Sequence, residues 1–202
     1  KTILVLKWLN KEFERRVLVL KEHKMRTIEA YHREIVRPAV EKNGDFGTDV
    51  MPEAMPYLVA VIDEISIPMA QYKREIQAGL SSLAHSARAV GVHLIVTTTR
   101  TDAQTVPVAL REHFGARIAF HMSGAQSRMI VGNSSAETLT DAGVAILRQN
   151  SMKTPFILST PLITELEIDE NTAAIAKNHP AEEVDAALVP AEQYWTENPQ
   201  SI

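Results

Sequence analysis

Apolar and polar positions alternate along the first third of the chain with a helical period. Leu4, Trp8, Leu9, Phe13, Arg16 and Leu20 recur at three- and four-residue spacing, with Lys, Glu and Arg between them. That spacing predicts helix through residues 1–37, uninterrupted by Gly or Pro before Pro38. Thr27, followed by Glu29, is placed to cap a second helix over Ile28 to Val36. Residues 38–56 hold Pro38, Gly44, Gly47, Pro52 and Pro56 and read as a loop.

The period then changes. Tyr57 to Ile62 is a short, nearly all-apolar run ending in Asp63-Glu64, the pattern of a strand buried on both faces. Residues 71–90 return to a helical period with Ile76, Leu80, Leu83, Ala84 and Ala87 on one side, and Gly91 ends the helix. Val92 to Thr98 is β-branched and predicts the next strand. Further strands are expected at Arg117 to Met122, Gly143 to Leu147 and Phe156 to Ser159. Short helices are expected at 106–113, Ala125 to Val131 and 169–178. Strands alternating with helices predict an α/β fold with a largely parallel sheet flanked by helices. The expected division is a helical segment over 1–37, the loop over 38–56, a core over 57–178 and an acidic polar tail over 179–202. Such sheets bind ligands outside the C-terminal ends of their strands, where Asp63-Glu64 and Thr97 to Arg100 fall.

Charge refines this picture more than composition does. The 202 residues carry a net charge of −4 and no cysteine, which excludes a disulfide scaffold and thiolate metal sites. Residues 1–42 hold 11 basic and 6 acidic side chains, whereas residues 163–202 hold 1 and 9. A mildly acidic total leaves room for nucleic-acid contact through a few local loops. No run near the middle is longer than Leu58 to Ile62, far short of the ~20 residues a membrane helix needs.

The candidate chemistry lies at the end of the first strand. An apolar strand that delivers Asp63 and Glu64 to a sheet edge has the form of a Walker B segment. The first acid can hold Mg²⁺, which prefers oxygen ligands and keeps much of its water. The second can orient or deprotonate the water that attacks a γ-phosphate. The histidines show no zinc-type spacing, and Gly-x-Ser-x-Gly is absent.

The stretches Pro56 to Glu64, Ala84 to Arg100, Ala116 to Phe120, Ser127-Arg128 and Gly143 to Leu147, in that order and spacing, resemble the motor domain of FtsK/SpoIIIE DNA translocases. Trp8 to Arg16 and Arg26 to Tyr31 resemble the helix that precedes Walker B in that family. The resemblance implies a RecA-like ATPase working as a ring, usually a hexamer, that hydrolyses ATP with Mg²⁺ at subunit interfaces and pumps double-stranded DNA. It implies Asp63 as the Mg²⁺-linked acid, Glu64 as the base, and Thr99 at the position of a γ-phosphate-sensing Gln. Arg128 or Arg117 would serve as a finger in trans, with Arg128 preferred. Arg100 and Arg111 are the candidates for DNA phosphates. The expected setting is a cytoplasmic motor, with an anchor to the inner face of the membrane elsewhere in the full-length protein. Three departures stand out: Thr97-Thr-Thr-Arg-Thr101 for Ala-Thr-Gln-Arg-Pro, Ile65-Ser-Ile-Pro-Met69 for Phe-Ala-Asp-Leu-Met, and Gln126 for the Asp before Ser-Arg.

No Gly-x-x-x-x-Gly-Lys-Ser/Thr occurs, since no Lys follows any of the eight glycines. In the family that loop lies upstream of the region matched by residues 3–31. The expectation is therefore a chain that starts downstream of it and is inactive alone. The alternatives are a type VII secretion ATPase that moves protein, and a degenerate RecA-like module that only assembles.

Overall fold

The computed structural model describes residues 2–41 and 52–178; the expected tail at 179–202 and the middle of the 38–56 loop lie outside the described residues. The fold is α/β, and the chain divides into two compact units, Lys1–His113 and Phe114–Ile202.

In the first unit, helix α1 (Thr2–Glu22) buries Leu6, Leu9, Arg16 and Leu20 along one face. It packs on α5 (Lys73–Ser86), whose Ile76, Leu80 and Leu83 are buried. The two helices approach closely at Gly79, where an added Cβ would lie 3.2 Å from Leu6 Cβ. Asn10 Nδ2 takes advantage of that approach and donates to Gly79 O at 3.1 Å. Within the helical stretch expected over 1–37, with Thr27 capping a second helix, the first helix ends at Glu22. Met25 N–H donates to Leu20 O and Lys24 N–H to Lys21 O, with Lys24 left-handed at φ 56°. This is a Schellman ending in which Lys occupies the position glycine usually takes, so the sequence carries no visible signal for it.

Thr27 caps the next helix as expected: its Oγ1 accepts from Ala30 N–H at 3.2 Å. Helix α2 (Ile28–Tyr31) continues through a π turn over His32–Val36 into α3 (Arg37–Glu41). The helix therefore runs past Pro38 into the stretch read as loop. Proline has no N–H to donate, and the wider turn closed by Arg37 N–H on His32 O absorbs that loss.

Strands β1 (Leu58–Ile62) and β2 (Val92–Val96) pair in parallel, Leu58 opposite Val92 and Ile62 opposite Val96. Between them run α4 (Ser66–Gln71), α5 and a 3₁₀ turn over Ala87–Val90. Gly91 ends that turn at φ 78°, and a side chain there would strike Ile28. Pro68 sits in the first turn of α4, where a missing N–H is harmless. Helix α6 (Val108–His113) packs on α5. The expectation that β1 is buried on both faces does not hold: Val59 and Val61 are 60% and 63% exposed, and Ile95 on β2 is 51% exposed. Among the described residues, helical cover lies on the opposite face, where Ile62 is buried.

In the second unit, β3 (Ala116–Ala119), β4 (Val144–Gln149) and β5 (Phe156–Ser159) form an antiparallel sheet with β4 central. The expected parallel sheet with flanking helices is present at β1 and β2, whereas among the described residues the later strands β3, β4 and β5 pair antiparallel. The short link from β4 to β5 fits only an antiparallel return. Helix α7 (Gly124–Val131) opens with a reciprocal cap between Ser123 and Gln126 and ends at Gly132, φ 87°. Its buried Ser127 Oγ donates to Asn133 O and accepts from Ala136 N–H. Helix α8 (Glu165–Asn178) starts four residues earlier than expected, where Thr164 and Glu167 exchange hydrogen bonds, and all of its residues are exposed.

A single guanidinium fixes the entry of both parallel strands. Arg16 is 2% exposed. Its Nη1 donates to Pro56 O at 2.7 Å and to Val90 O at 3.1 Å, and its Nε pairs with Glu12 at 2.7 Å. Replacing Arg16 with Met would leave the Pro56 and Val90 carbonyls without their donor and Glu12 with Arg15 alone. We expect a loss of about 3 kcal/mol in urea unfolding, as for other broken buried pairs, with an unchanged m-value.

Candidate functional site

The parallel register dictates which side chains meet beyond the strand ends. Thr97 N–H donates to Ile62 O and Ile65 N–H to Thr97 O, so the ladder continues one step past β1 and β2. Asp63 then lies beside Thr97, whose Oγ1 donates to Asp63 Oδ1 at 2.5 Å and accepts from Glu64 N–H at 3.1 Å.

Glu64 turns back on itself. Its φ of 51° is left-handed, a conformation few non-glycine residues adopt and one that concentrates at functional sites. Its carboxylate lies among four donors. Ser66 Oγ (2.5 Å) and Thr98 Oγ1 (2.9 Å) donate to Oε1, and Thr99 N–H (2.9 Å) and Thr99 Oγ1 (2.6 Å) donate to Oε2. Thr98 Oγ1 in turn accepts from Arg100 N–H at 3.0 Å, which closes the loop after β2 on the same group. These bonds favour the charged form. The Ser66 hydroxyl contributes most, followed by Thr99 and Thr98, and together they pull the Glu64 carboxyl from the ordinary 4.5 down to about 2.

The structure thus brings Asp63, Glu64 and Thr99 together, as the sequence suggested. It adds Ser66, Thr97 and Thr98. The polar run Thr97 to Arg100 directly after a strand was the signal for the threonines. Nothing in the sequence pattern marked Ser66, which reaches Glu64 only because the backbone reverses there. Arg100 is exposed on the same loop, near Asp102, whose carboxyl is held low chiefly by the Thr105 N–H, with further help from Gln104 and Arg100. Arg111 is half-buried on α6.

Arg117 and Arg128 belong to the second unit. Arg117 stands on β3 opposite Arg148 and is half-buried, with Nη2 3.4 Å from Asn150 Oδ1. Arg128 is exposed on α7, and its guanidinium has no partner among the described residues.

Asp63 suits Mg²⁺. It is an exposed carboxylate with one oxygen engaged by Thr97 and, for the other, no hydrogen-bond partner among the described residues. No group of three or more potential ligands occurs among the described residues. Mg²⁺ is usually held by one or two carboxylates plus waters and substrate phosphates rather than by a protein cage. The phosphate-cradling loop has no counterpart in the sequence.

The sequence profile of the FtsK/SpoIIIE family matches residues 1–152. The chain belongs to the FtsK/SpoIIIE family. It is 33% identical over 157 residues to the DNA translocase FtsK of Chlorobaculum tepidum, a match covering 77% of the chain and 20% of that protein. It is 27% identical over 176 residues to the DNA translocase SftA of Bacillus subtilis strain 168, covering 87% and 17%. The chain thus spans about a fifth of the length of the curated FtsK/SpoIIIE relatives it matches. Its fold is shared with the pCW3 conjugation coupling protein TcpA, solved with ATPγS (TM-score 0.63, 20% identity, 77% of this chain and 43% of that one). It is also shared with the cytoplasmic domain of the type VII secretion ATPase EccC of Thermomonospora curvata (TM-score 0.59, 22% identity, 81% and 18%).

The lowered Glu64 carboxyl has a consequence for stability. Its contribution is complete above the ordinary value of 4.5 and is lost as pH falls toward 2, because the unfolded chain takes up the proton first. Melting temperatures measured between pH 5 and pH 2 should therefore fall more steeply for the wild type than for Glu64→Gln.

Proposed function

We propose that this FtsK/SpoIIIE chain is the Walker B-bearing part of an ATP-driven motor that translocates double-stranded DNA. The observation that carries the reading is the parallel register that delivers Asp63 and Glu64 together, at the strand end, beside the threonine run of the neighbouring strand. In this reading Asp63 offers a carboxylate oxygen to Mg²⁺, which supplies charge neutralisation at the phosphates of ATP when bound. Glu64 orients water and takes its proton. Thr99 occupies the sensing position through its contact with Glu64.

Ring assembly would bring an arginine to a neighbour's site; the exposed Arg128, unpartnered among the described residues, suits that task better than Arg117, which is held within its own sheet. Arg100 and Arg111 would meet DNA phosphates, a contact that positions without reading sequence. No described helix is long and apolar enough to cross a membrane. The motor would work at the cytoplasmic side, with any anchor outside these residues.

In the complete ATPase, Glu64→Gln should retain ATP binding and lose turnover by about 100-fold or more. Turnover at the wild-type rate would overturn the assignment. The 202 residues alone, without a phosphate loop, should show no ATP hydrolysis above a buffer control. If DNA is the substrate, Arg100→Ala should reduce the slope of log affinity against log salt by about 1 for duplex DNA of any sequence. An unchanged slope, with turnover stimulated by a protein substrate instead, would favour the secretion-type reading.

A further inference from the structure

We infer that Ser66 and Thr98 are positioning residues that, with Thr99, clamp Glu64 in a resting position from which it must be released before it can act on water. The inference rests on the reading of Glu64 as the base. What it adds is the state in which the structure holds that base.

A carboxylate has about four lone-pair sites, two on each oxygen. At Glu64 all four are taken. Oε1 accepts from Ser66 Oγ and Thr98 Oγ1, and Oε2 accepts from Thr99 N–H and Thr99 Oγ1. Ser66 N–H adds a longer contact to Oε1 at 3.4 Å. A base must first accept a hydrogen bond from the water it deprotonates. Here no lone pair is left for that bond. Three of the four donors come from hydroxyls on short side chains, and each hydroxyl has a single proton to give, so releasing Glu64 requires these protons to find other acceptors. Thr98 has one at hand, since its Oγ1 also lies 3.0 Å from Arg100 O.

The backbone points the same way. Glu64 is one of two non-glycine residues with positive φ among those described, and the clamp closes on the strained residue itself. Its neighbour Asp63 accepts a single hydrogen bond, from Thr97, and stays exposed. The two adjacent acids are therefore in different states: one is open to solvent, the other is saturated by its own protein. The donors come from both sides of the site, Ser66 from the start of α4 and Thr98 and Thr99 from the loop after β2. Any shift of that loop relative to α4 would break the set unequally and free one oxygen.

Two measurements test the clamp. In the 202-residue chain at pH 7, ¹H–¹⁵N NMR should show the Thr99 amide proton shifted downfield by its bond to the Glu64 carboxylate, and Glu64→Ala should remove that shift. The Ser66→Ala/Thr98→Val double variant should weaken the shift, and Thr98→Ser should keep the wild-type value. A Thr99 amide unmoved by Glu64→Ala would overturn the clamp whatever the enzyme does. In the complete ATPase, the double variant should raise unstimulated turnover about threefold or more with the KM for ATP unchanged, while Thr98→Ser behaves as wild type. Unstimulated turnover that is unchanged or lower would overturn the resting-state role and leave Glu64's own assignment standing. Wild-type turnover in Glu64→Gln would instead overturn that assignment, and the clamp's bearing on catalysis with it.

Discussion

The buried guanidinium of Arg16 sets the geometry on which the first unit depends. It holds the carbonyls of Pro56 and Val90, the residues from which the chain enters β1 and β2. Leu58 N–H on Gly91 O then starts the parallel ladder. A side-chain cation is suited to this place because two strands entering side by side present carbonyls with no strand partner, and a planar group with several N–H donors can serve both at once. Glu12, one helical turn back, balances the charge, and its carboxyl is held low chiefly by the Arg15 hydrogen bond, with Arg16 adding to it. Once the entry is fixed, register follows, and one residue of slip would turn Leu58, Ala60 and Ile62 to the wrong face. The same register decides, five residues on, that Asp63 meets Thr97 rather than Thr98.

The acid pair is stabilised without any cation. Neither Asp63 nor Glu64 forms an ion pair among the described residues; hydroxyls and one backbone N–H do the work. That choice has a physical meaning. An arginine partner would neutralise the charge and compete with Mg²⁺, whereas neutral donors stabilise the carboxylates and leave their net charge in place. Neutral hydroxyl donors are also exchangeable, since each can rotate to another acceptor without exposing an unpaired charge.

Much of this was legible in the sequence because it follows from period and end-signals. The apolar run to Ile62 followed by two acids, the Thr27 cap and the Gly91 stop are all local, and each appears where expected. The misses have local causes too. Lys24 ends α1 in a conformation that favours glycine, so the end of the first helix carried no signal although the Thr27 start of the next one did. Pro38 is absorbed by a π turn, so a helix read as ended continues. Strand direction is a tertiary property, and hydrophobic period alone could not tell the antiparallel β3, β4 and β5 from parallel strands. The acids were legible but the reversed backbone at Glu64 was not, and with it Ser66 stayed hidden.

Thr99 shows why the identity of one short side chain matters at this strand end. In the pattern the chain resembles, glutamine stands here, with an amide that carries two donors and an acceptor on a longer stem. Threonine has one hydroxyl proton and one backbone N–H, and both are directed to Glu64 Oε2. The hydroxyl cannot donate to a second acceptor while it holds that oxygen. A group that reads the nucleotide from this position must therefore let go of Glu64 to do so. If Thr99 is the nucleotide-reading group, sensing and release of the acid would become one event there, where a longer side chain could keep them separate.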